Sequence, residues 1–248
     1  MSKLLIFAIT IVAMAQDARQ IVEESQKRHR SNSQQYEGVL QVFNPNGKNS
    51  EKRWQFFRTG NYGESKALLR FVSPPEVKGV ALLIVNHTDR ASDQWMWLPE
   101  LQRDRRVALQ DRSTRFFGTD FSYEDLEERD VNQSDFTMLG EEAMNGQPCW
   151  KIQSVPKKGK TSQYNKIVMW VRKDIYFPVQ YDLYAKDQLV RKLNYKRVEK
   201  VSGVWSALEM EMLDLKRKGR TVLRSDKLQY NVPLKDELFT LQSLRRGE

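Results

Sequence analysis

From Tyr36 onward, apolar and polar residues alternate with a period of two through most of the chain, and this pattern restricts the fold more than any other feature. The alternation is clearest at residues 177–183, 189–195 and 204–212. Successive side chains of a strand point to opposite faces of a sheet, so the pattern predicts β-strands that bury one face.

Short turn sequences separate these strands. An Asn-Pro-Asn-Gly stretch at 44–47 and a Met-Asn-Gly stretch at 144–146 are typical of tight connections between neighbouring strands. The alternating runs number about ten or eleven, and they lack the long helical crossovers that a parallel sheet needs. We therefore predict an antiparallel meander.

Three segments interrupt the β pattern. Ala18, Ile21 and Val22 recur at helical spacing within residues 17–30, which predicts an amphipathic helix. Ser122 is a hydroxyl N-cap with Asp125 three positions later, which predicts a short helix. Leucines at helical spacing in residues 234–244 predict one or two further helical turns.

A single sheet of this size must bury one face, and few helices are present to cover it. The economical arrangement is a strongly curved sheet with the helices lying across its concave side. We predict a mainly β, α+β fold: a single open antiparallel β half-barrel of about ten or eleven strands, with a few helices covering the concave face.

The first fifteen residues have the layout of a secretory signal. Lys3 precedes an apolar run of about ten residues, and Ala13-Met14-Ala15 has the form of a cleavage site. The run is shorter than the roughly 20 residues that a membrane helix needs. We expect residues 1–15 to be a cleaved signal peptide and residues 16–248 to form a single domain in the periplasm of a Gram-negative bacterium.

The charge balance favours anionic partners. The chain has 41 basic and 32 acidic residues, and the predicted signal contains only Lys3 among them, so its removal leaves a net charge of +8. Lipid head groups, an anionic membrane surface and acidic protein faces fit this excess, whereas export removes nucleic acid from the expected partners. Cys149, the single cysteine, lies in a strand pattern and is expected to be a packed apolar residue.

The sequence gives little support for catalysis. His29 and His87 are far apart along the chain, and neither has the ligand spacing of a zinc site. The chain contains no Gly-x-Ser-x-Gly elbow and no glycine-rich phosphate loop. We expect a protein that is not an enzyme and that uses no metal and no cofactor.

A cluster of arginines follows the aromatic stretch 95–98. Its members are Arg103, Arg105, Arg106, Arg112 and Arg115. Guanidinium groups beside aromatic rings suit anionic head groups or a membrane-facing partner. The alternative is a solvated sheet edge that is protected by charge.

Several strands carry bulky apolar residues on both faces, notably 80–85, 95–98 and 167–171. A sheet with one solvated face does not need this pattern. Either helices cover the second face tightly, or the concave side encloses an apolar cavity that suits acyl chains. Periodicity alone favours the packed core over the cavity.

Six segments of the chain follow one another in the order and with the residues of a known family. They are 69–79 (LRFVSPPEVKG), 94–99 (QWMWLP), 105–107 (RRV), 117–126 (FGTDFSYEDL), 203–205 (GVW) and 239–246 (FTLQSLRR), and the most specific stretch among them is Phe-Gly-Thr-Asp-Phe. On these segments the chain resembles the outer-membrane lipoprotein-sorting proteins of the LolA-like superfamily, in a branch that is mostly uncharacterised, and the resemblance extends over nearly all of residues 16–248.

This resemblance implies an unclosed β-barrel whose helices plug the concave face, with a cavity that accepts acyl chains. It makes the cavity the favoured interpretation over the packed core. It implies no enzymatic residue. Relatives often accompany exporters of the resistance-nodulation-division (RND) type, which makes such an inner-membrane exporter a possible partner. The expected cavity residues are Trp54, Phe56, Leu69, Phe71, Leu82, Ile84, Trp95, Trp97, Met169, Tyr181, Leu183 and Met210.

The leading hypothesis is a periplasmic carrier or chaperone that binds lipid or lipoprotein acyl chains for transfer towards the outer membrane. The alternative is a non-carrier accessory protein that docks an RND-type exporter or another envelope complex through its basic surface. A hydrolase acting on envelope lipids is the third hypothesis, and it would need a nucleophile and a base close to each other.

Overall fold

A single antiparallel sheet of thirteen strands dominates the computed structural model, which describes residues 17–246. The open antiparallel sheet confirms the predicted fold class, with more strands than the predicted ten or eleven. The strands are β1 (Ser33–Phe43), β2 (Asn49–Asn61), β3 (Glu64–Ser73), β4 (Ala81–Val85), β5 (Asp93–Leu98), β6 (Arg103–Arg106), β7 (Ser134–Met144), β8 (Gln147–Pro156), β9 (Lys166–Arg172), β10 (Pro178–Ala185), β11 (Gln188–Val201), β12 (Val204–Asp214) and β13 (Gly219–Tyr230).

The strand order is β6-β5-β4-β3-β2-β1-β13-β12-β11-β10-β9-β8-β7. Two meanders, β1 to β6 and β7 to β13, are therefore joined side by side through the first and last strands. The edge strand β6 is a four-residue stretch of Arg and Asp, and it carries no apolar alternation by which it could have been recognised. The predicted signal peptide lies outside the described residues.

Helices are few, as predicted. The helix α1 (Ala18–Arg28) begins after Asp17, whose side chain accepts a hydrogen bond from the backbone N–H of Arg19. A 3-10 turn (Asp236–Phe239) leads into α2 (Leu241–Arg246). The short helix predicted near residue 122 is a 3-10 turn at Glu124–Leu126. Further 3-10 turns span Pro99–Leu101, Leu109–Asp111 and Val131–Gln133. No helix among residues 17–246 is long and apolar enough to cross a membrane.

The sheet has an inner face, which α1 and residues 107–133 (the inner segment) cover, and an outer face on its other side. Strand pairing assigns each side chain to one face: Phe56 pairs with Leu69, and Leu69 pairs with Leu82, all on the inner face. The inner segment brings Phe116 and Phe121 into the same buried cluster. One half of the inner face is thus filled by the inner segment.

The C-terminal helix differs from the expectation that every helix would lie on the concave side. Leu244 of α2 and Phe239 before it pack against Leu68, Leu83 and Trp97, which lie on the outer face of β3, β4 and β5. Apolar residues occur on both faces of these strands because each face has its own cover. This cover explains the two-sided apolar pattern without a cavity beneath these strands.

A glycine makes room for the central aromatic cluster. Trp54 is 2% exposed, and its ring centroid lies 5.9 Å from that of Phe71 and 6.1 Å from that of Phe116. Gly38 lies opposite Trp54 on β1, and a Cβ atom placed on Gly38 would lie 1.7 Å from Nε1 of the indole. The indole can occupy this position only because residue 38 has no side chain.

Candidate ligand cavity

A cavity lies on the other half of the inner face, between β9 to β13 on one side and α1 and the inner segment on the other. Its volume is about 620 Å³, which is within the roughly 300–1,000 Å³ that ligand pockets occupy. The cavity exists because neither α1 nor the inner segment covers this part of the sheet completely. The side chains of the inner face are therefore available to a ligand there.

The floor of the cavity is apolar and aromatic. Alternation along each strand directs these side chains to the inner face, and strand pairing brings them together. Tyr181 lies opposite both Met169 and Leu193, and Tyr195 lies opposite Met210. Flexible Met side chains and broad Tyr rings adapt to apolar ligands of variable shape. The apolar floor and walls comprise Val22, Val131, Phe136, Ile167, Met169, Val171, Phe177, Tyr181, Leu193, Tyr195 and Met210.

The rim of the cavity is charged, and two of its arginines are paired with glutamates of the inner segment. Arg58 lies 3.4 Å from Glu128, and Arg112 lies 3.0 Å from Glu127. Burial raises the pKa of both glutamates above the ordinary value, and this effect is larger than the lowering of the pKa by the neighbouring arginines. These pairs neutralise the two arginines, whereas Lys160, which also lines the cavity, forms no ion pair with another described residue.

A buried polar cluster fastens the inner segment to the sheet beside the cavity. Arg191 of β11 donates from Nη1 to Oη of Tyr164 at 2.8 Å and to Oδ2 of Asp125 at 3.1 Å. Its Nε lies 3.7 Å from the carboxylate of Asp214. Burial, and next the negative charge of Asp125, raise the pKa of Tyr164 far above its ordinary value. The neutral phenol thus serves as a fixed hydrogen-bond partner in this wall.

At the end of α1, His29 contributes to the cavity wall. Its Nε2 lies 3.2 Å from the backbone oxygen of Tyr176, and its ring packs edge-on against Phe177 at 5.0 Å. Burial lowers the pKa of His29, more than the backbone oxygen raises it. This lowering favours the neutral form of the imidazole.

The twelve residues predicted to line a cavity fall into three groups. Met169, Tyr181 and Met210 line it. Trp95 and Trp97 lie on the outer face, where β5 pairs them with Leu83 and Ala81. The other seven belong to or pack against the cluster that contains Phe116, so the inner segment covers them; they are Trp54, Phe56, Leu69, Phe71, Leu82, Ile84 and Leu183.

Four of the five predicted head-group arginines bind acidic partners inside the protein. Arg105 lies 3.1 Å from Asp111, and Arg106 pairs with Asp93. Arg112 pairs with Glu127, as described above, and Arg115 lies 3.3 Å from Asp120. Arg103 is exposed on β6 and has no ion pair with another described residue. A contact of this cluster with head groups stays a prediction.

Of the inner segment, sequence reasoning identified only Arg112 and Arg115 as site residues, and Arg112 lines the cavity; that the segment as a whole forms a wall of the cavity was missed. Gln26 of α1 donates to the backbone oxygen of Arg129 at 2.6 Å, and Arg19 donates to Asn132 at 2.9 Å. The segment therefore joins α1 to the sheet across the cavity. Its many charged residues between 120 and 130 were the available signal, because such residues on an inner face must be paired.

No group of three or more His, Cys, Asp or Glu side chains within residues 17–246 is close enough to hold a metal ion. Cys149 is 0% exposed and packs beside Val168 and Trp170, and burial raises the pKa of its thiol. His87 lies 3.0 Å from Asp93 and lines a smaller pocket that shares Arg112 and Glu127 with the rim of the cavity, away from its apolar floor. These residues contribute no reactive group to the apolar floor.

Comparison with known proteins gives one family and several solved structures. A family model described as an uncharacterized protein matches residues 63–246. A DUF1329 family protein from Desulfovibrio piger is 28% identical over 92% of this chain and 97% of its own, with a TM-score of 0.88. A “putative outer membrane lipoprotein-sorting protein domain” from Vibrio parahaemolyticus is 27% identical over 92% and 98%, with a TM-score of 0.88.

A more distant structure shares the fold. The LolA superfamily protein NE2245 from Nitrosomonas europaea is 18% identical over 92% of this chain and 100% of its own, with a TM-score of 0.74. Its likeness confirms the LolA-like fold that the sequence motifs suggested. No curated protein sequence matches the chain.

Proposed function

The chain belongs to the uncharacterized protein family whose model matches residues 63–246, and from its LolA-like fold and its cavity we propose that it is a carrier of lipid or lipoprotein acyl chains. The proposed activity is binding and release, without a covalent step. The cavity of about 620 Å³ with its apolar floor carries the proposal. A protein that only docks a partner does not need such a cavity.

Burial of methylene groups supplies the proposed binding energy. Each CH₂ group that leaves water contributes about 0.8 kcal/mol, so ten groups on the floor contribute roughly 8 kcal/mol. Association and ordering of the ligand cost about 4–15 kcal/mol. One short chain would therefore be held weakly and released readily, whereas a long chain or two chains would be held firmly.

We propose that acyl chains enter between α1 and the sheet. The helix contacts the end of the inner segment through the side chains of Arg19 and Gln26, and its apolar residues Ile21 and Val22 face the buried cluster of β8 and β9. A movement of α1 would open the cavity, and a partner with a better site would favour release.

The proposed location is the periplasm, reached by a cleaved signal peptide, and the proposed direction is towards the outer membrane. The lipoprotein-sorting description of the Vibrio protein supports this direction, because that protein is 27% identical over nearly its whole length. An RND-type exporter is the proposed inner-membrane partner, as the family resemblance implies.

A matched pair of tryptophan substitutions tests the cavity. Met210 and Leu213 lie on the same strand, but Met210 faces the cavity and Leu213 faces outward. We expect Met210→Trp to fill the cavity and lower the affinity for a fluorescent fatty acid at least about tenfold, or 1.4 kcal/mol. Leu213→Trp should leave the affinity unchanged.

Titration of the purified protein with the fluorescent fatty acid measures both variants, and thermal unfolding verifies that each is folded. Native mass spectrometry of protein purified from its own envelope should in addition detect bound lipid. Failure of the unmodified protein to bind the fatty acid, or equal binding by both variants, would refute the carrier proposal.

A further inference from the structure

A second pocket, of about 290 Å³, adjoins the cavity at its charged rim. Eight residues line both spaces, among them Arg112, Asp130 and Lys160. Polar and charged side chains predominate in the second pocket, to which the connection 86–92 contributes six residues, and we call it the polar pocket. Its volume is just below the roughly 300–1,000 Å³ of sites for drug-sized ligands. It therefore suits a small polar group beside the larger apolar space.

Asp130 brings an unpartnered acceptor to the polar pocket. The residue lines the pocket and is 8% exposed. Oδ1 of its carboxylate accepts a hydrogen bond from the backbone N–H of Asn132 at 2.9 Å, which explains its position as the N-cap of a 3-10 turn. Oδ2 is buried and has no hydrogen-bond partner within residues 17–246. Because a buried carboxylate oxygen without a partner is unfavourable, a ligand that donates to Oδ2 would gain free energy there.

Lys160 brings an unpaired cation to the same rim. The two arginines of the polar pocket are already paired. Arg112 pairs with Glu127 at 3.0 Å, and Arg90 pairs with Asp93 at 2.6 Å. Lys160 is half-buried and forms no ion pair with any described residue. The pocket thus offers a cation and an acceptor that do not pair with each other, and a ligand with one anionic group and one charged donor can satisfy both.

We propose that the polar pocket binds the head group of a phospholipid whose acyl chain occupies the cavity, and that this head group carries a primary ammonium, as phosphoethanolamine does. The phosphate would lie beside Lys160, and the ammonium would donate to Oδ2 of Asp130. A choline head group has no N–H to donate, and a glycerol head group offers hydroxyl donors but no cation. This inference rests on the proposed carrier function, because the cavity must hold the acyl chain.

Competition with a bound fluorescent fatty acid tests the head-group preference of the full chain after signal removal. The competitors are lysophosphatidylethanolamine, lysophosphatidylcholine and the monoacylglycerol, all with the same acyl chain and below their micelle concentrations. We expect lysophosphatidylethanolamine to bind about tenfold more tightly than lysophosphatidylcholine, the factor that one hydrogen bond to a charged group supplies. Lysophosphatidylcholine should in turn bind more tightly than the monoacylglycerol, because only the former carries a phosphate.

Matched variants assign each preference to its residue. Asp130→Asn keeps an acceptor for the cap but removes the carboxylate, so it should reduce the ethanolamine preference to about twofold or less. Asp135→Asn, at an exposed aspartate that lines neither space, should retain the preference. Lys160→Gln should weaken the preference for lysophosphatidylcholine over the monoacylglycerol, whereas Lys158→Gln, at an exposed lysine outside both spaces, should not. Each preference is a ratio within one variant, so changes in probe affinity cancel.

The outcomes separate the two proposals. Equal displacement by the two lysophospholipids, or an ethanolamine preference that survives in Asp130→Asn, would overturn the head-group assignment and leave the carrier proposal intact. Failure of the unmodified protein to bind the fatty acid would overturn both. Free phosphoethanolamine should bind far more weakly than the lysophospholipid in calorimetry, and equal binding would assign the polar pocket to a soluble ligand instead of a lipid head group.

Discussion

Replacement of Arg191 by Met should destabilise the protein strongly, because Arg191 is the central cation of a buried cluster. Its side chain is 10% exposed, and the carboxylates of Asp125 and Asp214 beside it are 1% and 6% exposed. Methionine matches the length of the arginine stem but supplies no donor. The substitution would leave two carboxylates and the phenol of Tyr164 without their common partner.

The expected cost follows from this burial. Removal of one partner from a buried ion pair costs about 3–5 kcal/mol, because the remaining charge is buried without compensation. For a protein of 150–250 residues, each kcal/mol lowers Tm by roughly 2–4 °C. We therefore expect Arg191→Met to lower Tm by about 6–20 °C. The inner segment should loosen first, since Asp125 belongs to it.

Thermal and urea unfolding measure this cost, and Arg105→Met is the control. Arg105 also pairs with an aspartate, Asp111 at 3.1 Å, but its side chain is 64% exposed, so its loss should cost less than about 1 kcal/mol. The double variant Arg191→Met/Asp214→Asn should recover part of the stability, because Asp214 has no ion pair other than that with Arg191 among the described residues and its neutralisation removes a stranded charge. Equal costs for the two arginines would refute the argument from burial.

Two further predictions concern a tight contact and a buried histidine. Gly38→Ala should lower the unfolding free energy by about 1–3 kcal/mol or more, since the methyl group and the indole of Trp54 cannot occupy the same space. In chemical unfolding, Gly38→Ala combined with Trp54→Leu should cost less than the sum of the single changes. His29 should make stability depend on pH, because its lowered pKa favours the neutral ring in the folded state. Its contribution to the unfolding free energy is complete above about pH 6.5, the pKa expected for the unfolded chain. On acidification this contribution is lost, by at most about 1.4 kcal/mol per pH unit. Urea unfolding between pH 7.5 and 5.5 should show a smaller loss for His29→Gln than for the unmodified protein.

The predictions for Gly38 and His29 each have an outcome that would contradict them. Additive costs for Gly38→Ala and Trp54→Leu would mean that the two residues do not compete for space. Parallel pH dependences for the unmodified protein and His29→Gln would mean that the imidazole titrates equally in the folded and unfolded states. Far-UV circular dichroism at pH 7.5 is the control that each variant starts from the same fold.

Alternation along the strands was sufficient to predict the inner face over most of the sheet. Ten of the twelve predicted cavity residues lie on that face, because a period of two is a direct property of strand geometry. The two exceptions, Trp95 and Trp97, belong to a strand that is apolar on both faces. Only the packing of α2, about 145 residues later in the chain, determines which face the tryptophans occupy.

The position of the cavity could not be predicted from local patterns. It depends on where the inner segment lies, and that segment is held by contacts between residues far apart in sequence. Asp125 and Arg191 are separated by 66 positions, and Asp120 meets Thr221 across 101. A capping pattern at Ser122 indicated a helix, whereas these distant partners stabilise a 3-10 turn. Packed core and cavity both exist, each on its own half of the inner face.

The pairing of β1 with β13 has a consequence for how the protein is made. Contacts across this pair join residues such as Glu37 and Lys227, which are 190 positions apart. Until the last strand is synthesised, each meander exposes an unpaired edge, and such edges are prone to pair with other chains. Contacts this distant in sequence also form slowly. Every newly made molecule therefore passes through a vulnerable stage, with two incomplete half-sheets, that ends only when its thirteenth strand inserts between them.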